Sequence, residues 1–301
     1  MQIKPLDNVI SPFKEMAAYE ALWEQKNASF KTIAEIFNKH PGALPSSFVE
    51  KATIEDYISQ IKKLFTNESD FESLGIRLFG MMDYPQKIRD AKYPIELFYY
   101  QGDWTLIDTP CVSVVGTRNP TPEGVKRTVR LVKNLVADGF TIISGLAKGV
   151  DTIAHKTAIE QGGKTIAVIG TPLNTIYPKE NKELQETIKK NYLLISQVPF
   201  FRYSKQPPNI NRFFFPERNK LMSALSLATI IVEAGETSGT LVQAKAALEQ
   251  KRKLFILNNN FENKALSWPE KYLTKGAVKV VSYEDISSSI KINKNESFQA
   301  N

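Results

Sequence analysis

The stretch that decides the fold runs from Cys111 to Gly170: CVSVVGTRNPTPEGVKRTVRLVKNLVADGFTIISGLAKGVDTIAHKTAIEQGGKTIAVIG. Short runs rich in Val and Ile, at Val112 to Val115, Thr141 to Ser144 and Thr165 to Ile169, alternate with amphipathic stretches at Gly124 to Asp138 and Asp151 to Gln161. An apolar run of four or five residues has the length of a buried strand, whereas apolar residues three and four apart give a helix its buried stripe. Strand and helix in repeated alternation mean a parallel, doubly wound sheet with right-handed crossovers. The pattern continues through strands at Leu193 to Ser196, Thr229 to Glu233 and Leu254 to Leu257, with helices at Asn181 to Lys190 and Thr240 to Gln250 and a last strand at Val278 to Val281.

Upstream, residues 1–80 read as a small helical domain. Ala17 to Glu24, Thr32 to Phe37 and Val49 to Phe65 carry apolar residues at helical spacing, and Pro41, Gly42 and Pro45 mark a turn. Residues 81–110 read as an aromatic, extended segment in which Pro85 and Pro94 limit helix. The sheet domain is then residues 111–286. Residues 287–301, rich in Ser, Asn and Lys, read as a disordered tail without a further domain.

The chain has 301 residues, 42% of them apolar, enough for a large core without staples. A single cysteine, Cys111, excludes a disulfide framework and a Cys-rich zinc site. No apolar run reaches the ~20 residues of a membrane span, and residues 1–10 carry polar groups where a signal peptide would be apolar. A cytoplasmic protein away from membranes is expected. The net charge of +7 is unevenly spread: residues 1–110 hold 12 basic and 16 acidic residues, whereas residues 111–282 hold 25 and 13. A basic sheet domain suggests a polyanionic partner, although lysines kept for solubility give the same count.

In such a sheet ligands bind where the chain leaves the carboxyl ends of the strands, so the loops there carry the search. The first, Gly116-Thr117-Arg118, lacks the G-x-G-x-x-G spacing of a dinucleotide fold and offers an arginine, which can grip a phosphate by paired hydrogen bonds. It reads as an anion site that does not hold NAD or FAD in the usual way; a surface arginine on a turn is the plainer alternative. The second loop, Ser144 to Asp151, places Lys148 between Gly145 and Gly149 before a helix that Asp151 could cap. His155, one turn later, is more often a packing residue than a catalyst. The third supplies Tyr177 and Lys179, a flat face and a charge suited to single strands. The fourth, Gln197 to Arg218, interleaves Phe200, Phe201, Tyr203 and Phe213 to Phe215 with Arg202, Lys205, Arg212 and Arg218. Aromatics among cations fit a nucleic-acid surface, while some of the rings can anchor the loop. Three consecutive rings cannot all face one way. The fifth, Glu233 to Thr240, has small residues that let backbone amides turn toward one anion, with Ser238, Gly239 and Thr240 at the helix start; plain capping by Ser238 or Thr240 is the alternative.

The order of these motifs resembles the DNA-processing protein A (DprA/Smf) family. The resemblance rests on Gly116-Thr117-Arg118, Ser144 to Asp151 with Ala154-His155, Gly162 to Val168, Tyr177 to Asn181, Phe215 to Asn219, and Glu233-Ala234 followed by Ser238 to Thr240. It covers residues 111 to 281 and reaches upstream to Tyr84-Pro85 and Pro94 to Gly102. It implies a Rossmann-like domain that binds and protects single-stranded DNA, hands it to a RecA-type recombinase in recombination or natural transformation, and forms a homodimer. No cofactor, metal or established catalysis is implied. The DNA pocket would map onto Arg118 and Lys179, with Arg218, Asn219 and Ser238 to Thr240; Gly116, Lys148, Tyr177 and Arg212 complete the candidate set.

This chain also departs from the family pattern. Ser196-Gln197 stands where Ser-Glu is usual, Lys220 to Leu225 replaces an Arg and an Ile-Ile-Ala-Gly-Leu run, and Asn258-Asn259 replaces Pro-Gly. Leu266 to Pro269 stands where a Gly-rich stretch is usual, the N-terminal helices match loosely, and no C-terminal winged helix is expected. Two other functions remain open. A phosphoribohydrolase of similar fold would carry Pro-Gly-Gly-x-Gly-Thr and a catalytic Glu, whereas here Ala234 to Thr240 continues into Leu241-Val242-Gln243-Ala244. The other is a free-nucleotide sensor in defence.

Overall fold

The computed structural model describes residues 10–65 and 68–290. The expectation for the N-terminal residues up to residue 9, and that for residues 291–301 of the tail, lie outside the described residues. Among those described, nine strands form one sheet: β1 Gly75–Leu78, β2 Leu97–Gly102, β3 Cys111–Val115, β4 Thr141–Ser144, β5 Thr165–Ile169, β6 Leu193–Ser196, β7 Ala228–Ile231, β8 Lys253–Leu257 and β9 Val278–Val280. Their order is β1-β2-β6-β5-β4-β3-β7-β8-β9. From β6 across to β9 every pairing is parallel, as expected from the alternation after Cys111. The two earliest strands add an antiparallel edge beside β6.

Strand alternation sorts the core. Val112 and Val114 of β3 point to the helices Pro122–Ala137 and Val150–Glu160. Cys111 and Val115 point the other way, toward the helices Phe214–Leu225 and Thr240–Glu249. Both faces of β3 are thus covered, which is why all five residues are buried and four of them apolar. Ser113 is the exception, and its hydroxyl pairs with that of Ser226 at 2.7 Å.

The N-terminal helices Pro12–Trp23, Phe30–Lys39 and Lys51–Ile61 share a core with the sheet. Met16, Tyr19 and Trp23 lie in one apolar cluster with Tyr99 of β2, Ile169 of β5 and Leu194 of β6. A buried carboxylate locks the join. Glu20 accepts from the Tyr99 hydroxyl at 2.5 Å and from the amides of Phe200 and Phe201 at 3.0 and 3.1 Å. Burial pushes this carboxyl up to about 7, against the pull of its three donors.

Four expectations change here. The helical reading of residues 1–80 ends early, because Gly75–Leu78 is a strand paired with β2. Residues 81–110 do more than lead into the sheet: β2 inserts between β1 and β6, with Phe98 buried on one face and Tyr99 on the other. The long loop Gln197 to Arg218 is mostly helical, with turns at Phe200–Lys205 and Pro208–Asn211 before the helix Phe214–Leu225 begins. Glu20, remote in sequence, caps the first of these, so no local signal announces it. At the other end, the tail begins later than residue 287: Glu284–Ser287 is helical and Ile290 packs into the core.

Candidate functional site

Strands β4, β5 and β6 continue from β3 to one side, and β7 and β8 lie on the other, so the order reverses between β3 and β7. At such a switch point the loops after the two central strands diverge and leave a crevice. A cavity of about 380 Å³ sits there, lined by the loop after β3 (Gly116, Thr117, Arg118), the loop after β7 (Gly235, Thr237 to Thr240) and Phe215, Pro216, Arg218 and Asn219.

Close backbone approach shapes the first wall. The Thr117 amide donates to the Glu233 carbonyl at 2.7 Å, and a Cβ at Gly116 would come within 2.8 Å of that carbonyl oxygen and 2.6 Å of Val150. Only glycine fits. Gly149 adopts φ +77°, with the Thr117 and Arg118 carbonyls at 2.5 Å from where its Cβ would stand. Gly116 and Gly149 therefore bring loops together; neither glycine is itself an anion cradle. Asp151 is not the cap foreseen for this helix either. Gly149 holds the cap position, and the buried Asp151 carboxylate accepts from the Ala147 amide at 3.3 Å.

Arg118 is exposed at the mouth of the cavity, and no ion pair among the described residues engages it. Arg218 is buried at the floor. Its guanidinium donates to the Gly145 carbonyl and, at 2.7 Å, to the Val168 carbonyl, while Nε donates to the Asn219 side chain at 2.9 Å. Burial draws its pKa down, the Asp151 carboxylate opposes that shift, and the charge of Arg118 adds to it. Two guanidinium groups thus converge on one cavity and repel each other, a field that an anion would relieve. Asn219 is also committed inward, donating to the Gly239 carbonyl at 3.0 Å.

The second wall is the start of the helix Thr240–Glu249. Thr240 donates its hydroxyl to the Gly116 carbonyl at 3.3 Å, and Ser238 Oγ accepts from the Thr240 amide at 3.2 Å. The amides of Gly235, Thr237 and Gly239 donate no hydrogen bond among the described residues. Free amides at the positive end of a helix dipole favour an anion. The loop carboxylates are held aside. Glu233 accepts from the Thr121 amide and hydroxyl at 3.1 and 2.8 Å, and Glu236 accepts from the Ser267 amide at 2.8 Å.

The other candidates divide. Tyr177 is 47% exposed and packs against Phe215 with ring centres 5.5 Å apart, which sets it beside the cavity. Lys148 pairs with Glu180 at 2.6 Å, next to the exposed Lys179, so these charges stand near the rim without lining it. Arg212 is exposed in the turn before the helix Phe214–Leu225 and does not line the cavity. His155 is fully buried with Nδ1 2.7 Å from Thr165 Oγ1, and burial lowers its pKa to about 3. Sequence reading missed Gln243, which lines the cavity and whose buried side-chain oxygen has no hydrogen-bond partner among the described residues. The signal was its place three residues after Thr240, on the same helix face. Among the described residues no cluster of His, Cys, Asp or Glu is placed to hold a metal, and no helix is long and apolar enough to cross a membrane.

Fold and site together define a Rossmann-like α/β protein with an arginine-lined crevice at the switch point of its sheet. Residues 76–291 match the family described as DNA recombination-mediator protein A, and the chain belongs to that family. It is 35% identical over 210 residues to the DNA processing protein DprA of Streptococcus pneumoniae, covering 69% of this chain and 72% of that one. The solved structure of the Streptococcus pneumoniae protein is similar with a TM-score of 0.67 and 28% identity over 94% of both chains. DprA from Helicobacter pylori, solved for its single-stranded DNA binding mode, matches with a TM-score of 0.61 and 30% identity over 72% of this chain and 94% of that one.

Proposed function

We propose that this chain binds single-stranded DNA, with the phosphate backbone seated in the switch-point crevice. The observation that carries this reading is the pairing of the uncommitted Arg118 with the free amides of Gly235, Thr237 and Gly239 across one cavity. Gly116 and Ser238 to Thr240 form its walls, Lys148, Lys179 and Tyr177 guide the strand at the rim, and Arg218 and Asn219 hold the crevice in shape. Arg212 contributes only to the surrounding field. In this reading the strand is protected and passed to a RecA-type recombinase by a cytoplasmic homodimer joined through the Rossmann-like domain. Membership of a recombination-mediator family supports the handover, and the Helicobacter pylori relative supports the single strand as ligand.

Fluorescence anisotropy with labelled single- and double-stranded oligonucleotides across a salt series tests the reading. A preference for single strands is expected, with a log–log salt slope of about −0.7 per phosphate contacted. Arg118→Ala should weaken binding alike for all base sequences and reduce that slope by about one contact, because phosphate contacts position a strand without reading it. Unchanged affinity in Arg118→Ala would remove the crevice from the function.

A further inference from the structure

We infer that the exposed ring of Phe213 is a stacking platform for the bases of the strand, which leaves the switch-point crevice over Pro216 and runs toward the N-terminal helices. The inference rests on the proposed single-strand binding and adds a second subsite with different chemistry. Pro216 lines the crevice and also a neighbouring cavity of about 340 Å³, so the two spaces adjoin. The second cavity lies between the first two helices of the chain and the segment from Arg202 to Glu217. Lys31 and Arg202 stand in its lining.

Phe213 is 71% exposed, whereas its neighbour Phe214 is buried in the core and Phe215 turns into the crevice. Phe213 also occupies the cap position of the helix Phe214–Leu225, where a small polar residue would satisfy an orphan amide. An aromatic ring there serves neither the core nor the cap. Beside it Ile210 is 39% exposed, so the patch is apolar at its centre. Cations flank it. Lys31 meets only the exposed Glu35, at 3.7 Å, and Arg202 donates to the Gln25 carbonyl at 3.3 Å. The carboxylate in the lining, Glu217, is neutralised by Lys220 at 2.6 Å.

A flat ring between cations, continuous with an anion crevice, fits an unpaired strand, because every base has a face to stack and every linkage a charge to offset. Duplex DNA, with its bases already stacked on each other, cannot use the ring. The platform therefore supplies part of the discrimination between single and double strands that the phosphate crevice cannot supply alone.

The test is anisotropy of the full chain with oligothymidylates of about 4 and about 15 nucleotides, a span matching known sites of this kind. Phe213→Ala should weaken the longer oligonucleotide about fivefold or more, leave the shorter nearly unchanged, and leave the salt slope intact, since stacking releases no counterions. Phe213→Trp should restore affinity, Phe213→Leu should not, and a 15-nucleotide strand lacking bases should bind wild type and Phe213→Ala equally. Equal affinity of wild type and Phe213→Ala for the longer strand, or full rescue by leucine, would overturn the platform. If Arg118→Ala has by then abolished binding, the crevice reading stands and only the platform fails. No binding of any single strand by the wild type overturns both.

Discussion

Arg118 and Arg218 are a hundred residues apart in sequence, share one cavity, and should respond in opposite ways to the same substitution. Arg218 is buried against the Gly145 and Val168 carbonyls and faces the buried Asp151. Replacing it with alanine leaves the two buried carbonyls without their donor, a loss of about 1–3 kcal/mol for each acceptor left unsatisfied. Arg118 is exposed and unpaired, so Arg118→Ala should change stability by less than about 0.5 kcal/mol while reducing affinity. Chemical denaturation of both variants separates the roles. Equal stability losses would show that both arginines are structural. The sequence marked both as anion ligands because residue type carries no burial. What it could not show is that Arg218 reaches back to two strand ends, which depends on how the helix Phe214–Leu225 lies on the sheet.

At the scale of elements, the edge strand β9 is only partly buried, whereas the parallel strands β3 to β8 were legible because a strand buried on both faces has nothing to alternate with, and its apolar run stands out. The antiparallel edge was not, since β2 is recognisable as a strand only through its pairing with β6. The turn Phe200–Lys205 was hidden for a related reason, its cap being Glu20 in the first helix. That cap has a titration consequence. The Glu20 carboxyl sits at about 7 in the fold, above its ordinary value near 4.5, so its contribution to stability is complete below about pH 4.5 and is lost as pH rises through about 7. His155 runs the other way: with its folded value near 3, its contribution is present above about pH 6.5 and fades as pH falls. Between about pH 4.5 and 6.5 these two contributions offset each other, so their sum should change little with pH in wild type. Glu20→Gln should remove the falling component and leave stability that rises with pH to about 6.5 and then levels off. An unchanged profile would mean that Glu20 stays ionised throughout.

For the whole molecule, the described helices before residue 65 and the basic sheet domain belong to one packed body, although the charge balance of the two segments is opposite. The helical segment reads as separable because its charge and periodicity differ from those of the sheet. The shared core says otherwise, with Tyr19 and Trp23 against Tyr99, Ile169 and Leu194. A chain beginning at residue 81 would lose β1 and expose that face. It should bind an apolar dye and lose near-ultraviolet circular dichroism, as an incompletely packed state does. A soluble fragment with native spectra would restore the two-domain reading.

The adjacency of β3 and β7 also governs when the protein can act. Val112 to Val115 pair with Ala228 to Ile231, so the two walls of the crevice come from segments separated by more than a hundred residues of chain. Contacts of such separation close late, because the intervening chain must be ordered first. During synthesis the first wall, with Arg118, leaves the ribosome long before Gly235 to Thr240 exist. A nascent or truncated chain therefore presents loose cations to any nucleic acid nearby without the assembled crevice. Competence for the proposed strand binding arrives only when nearly the entire sheet has been translated.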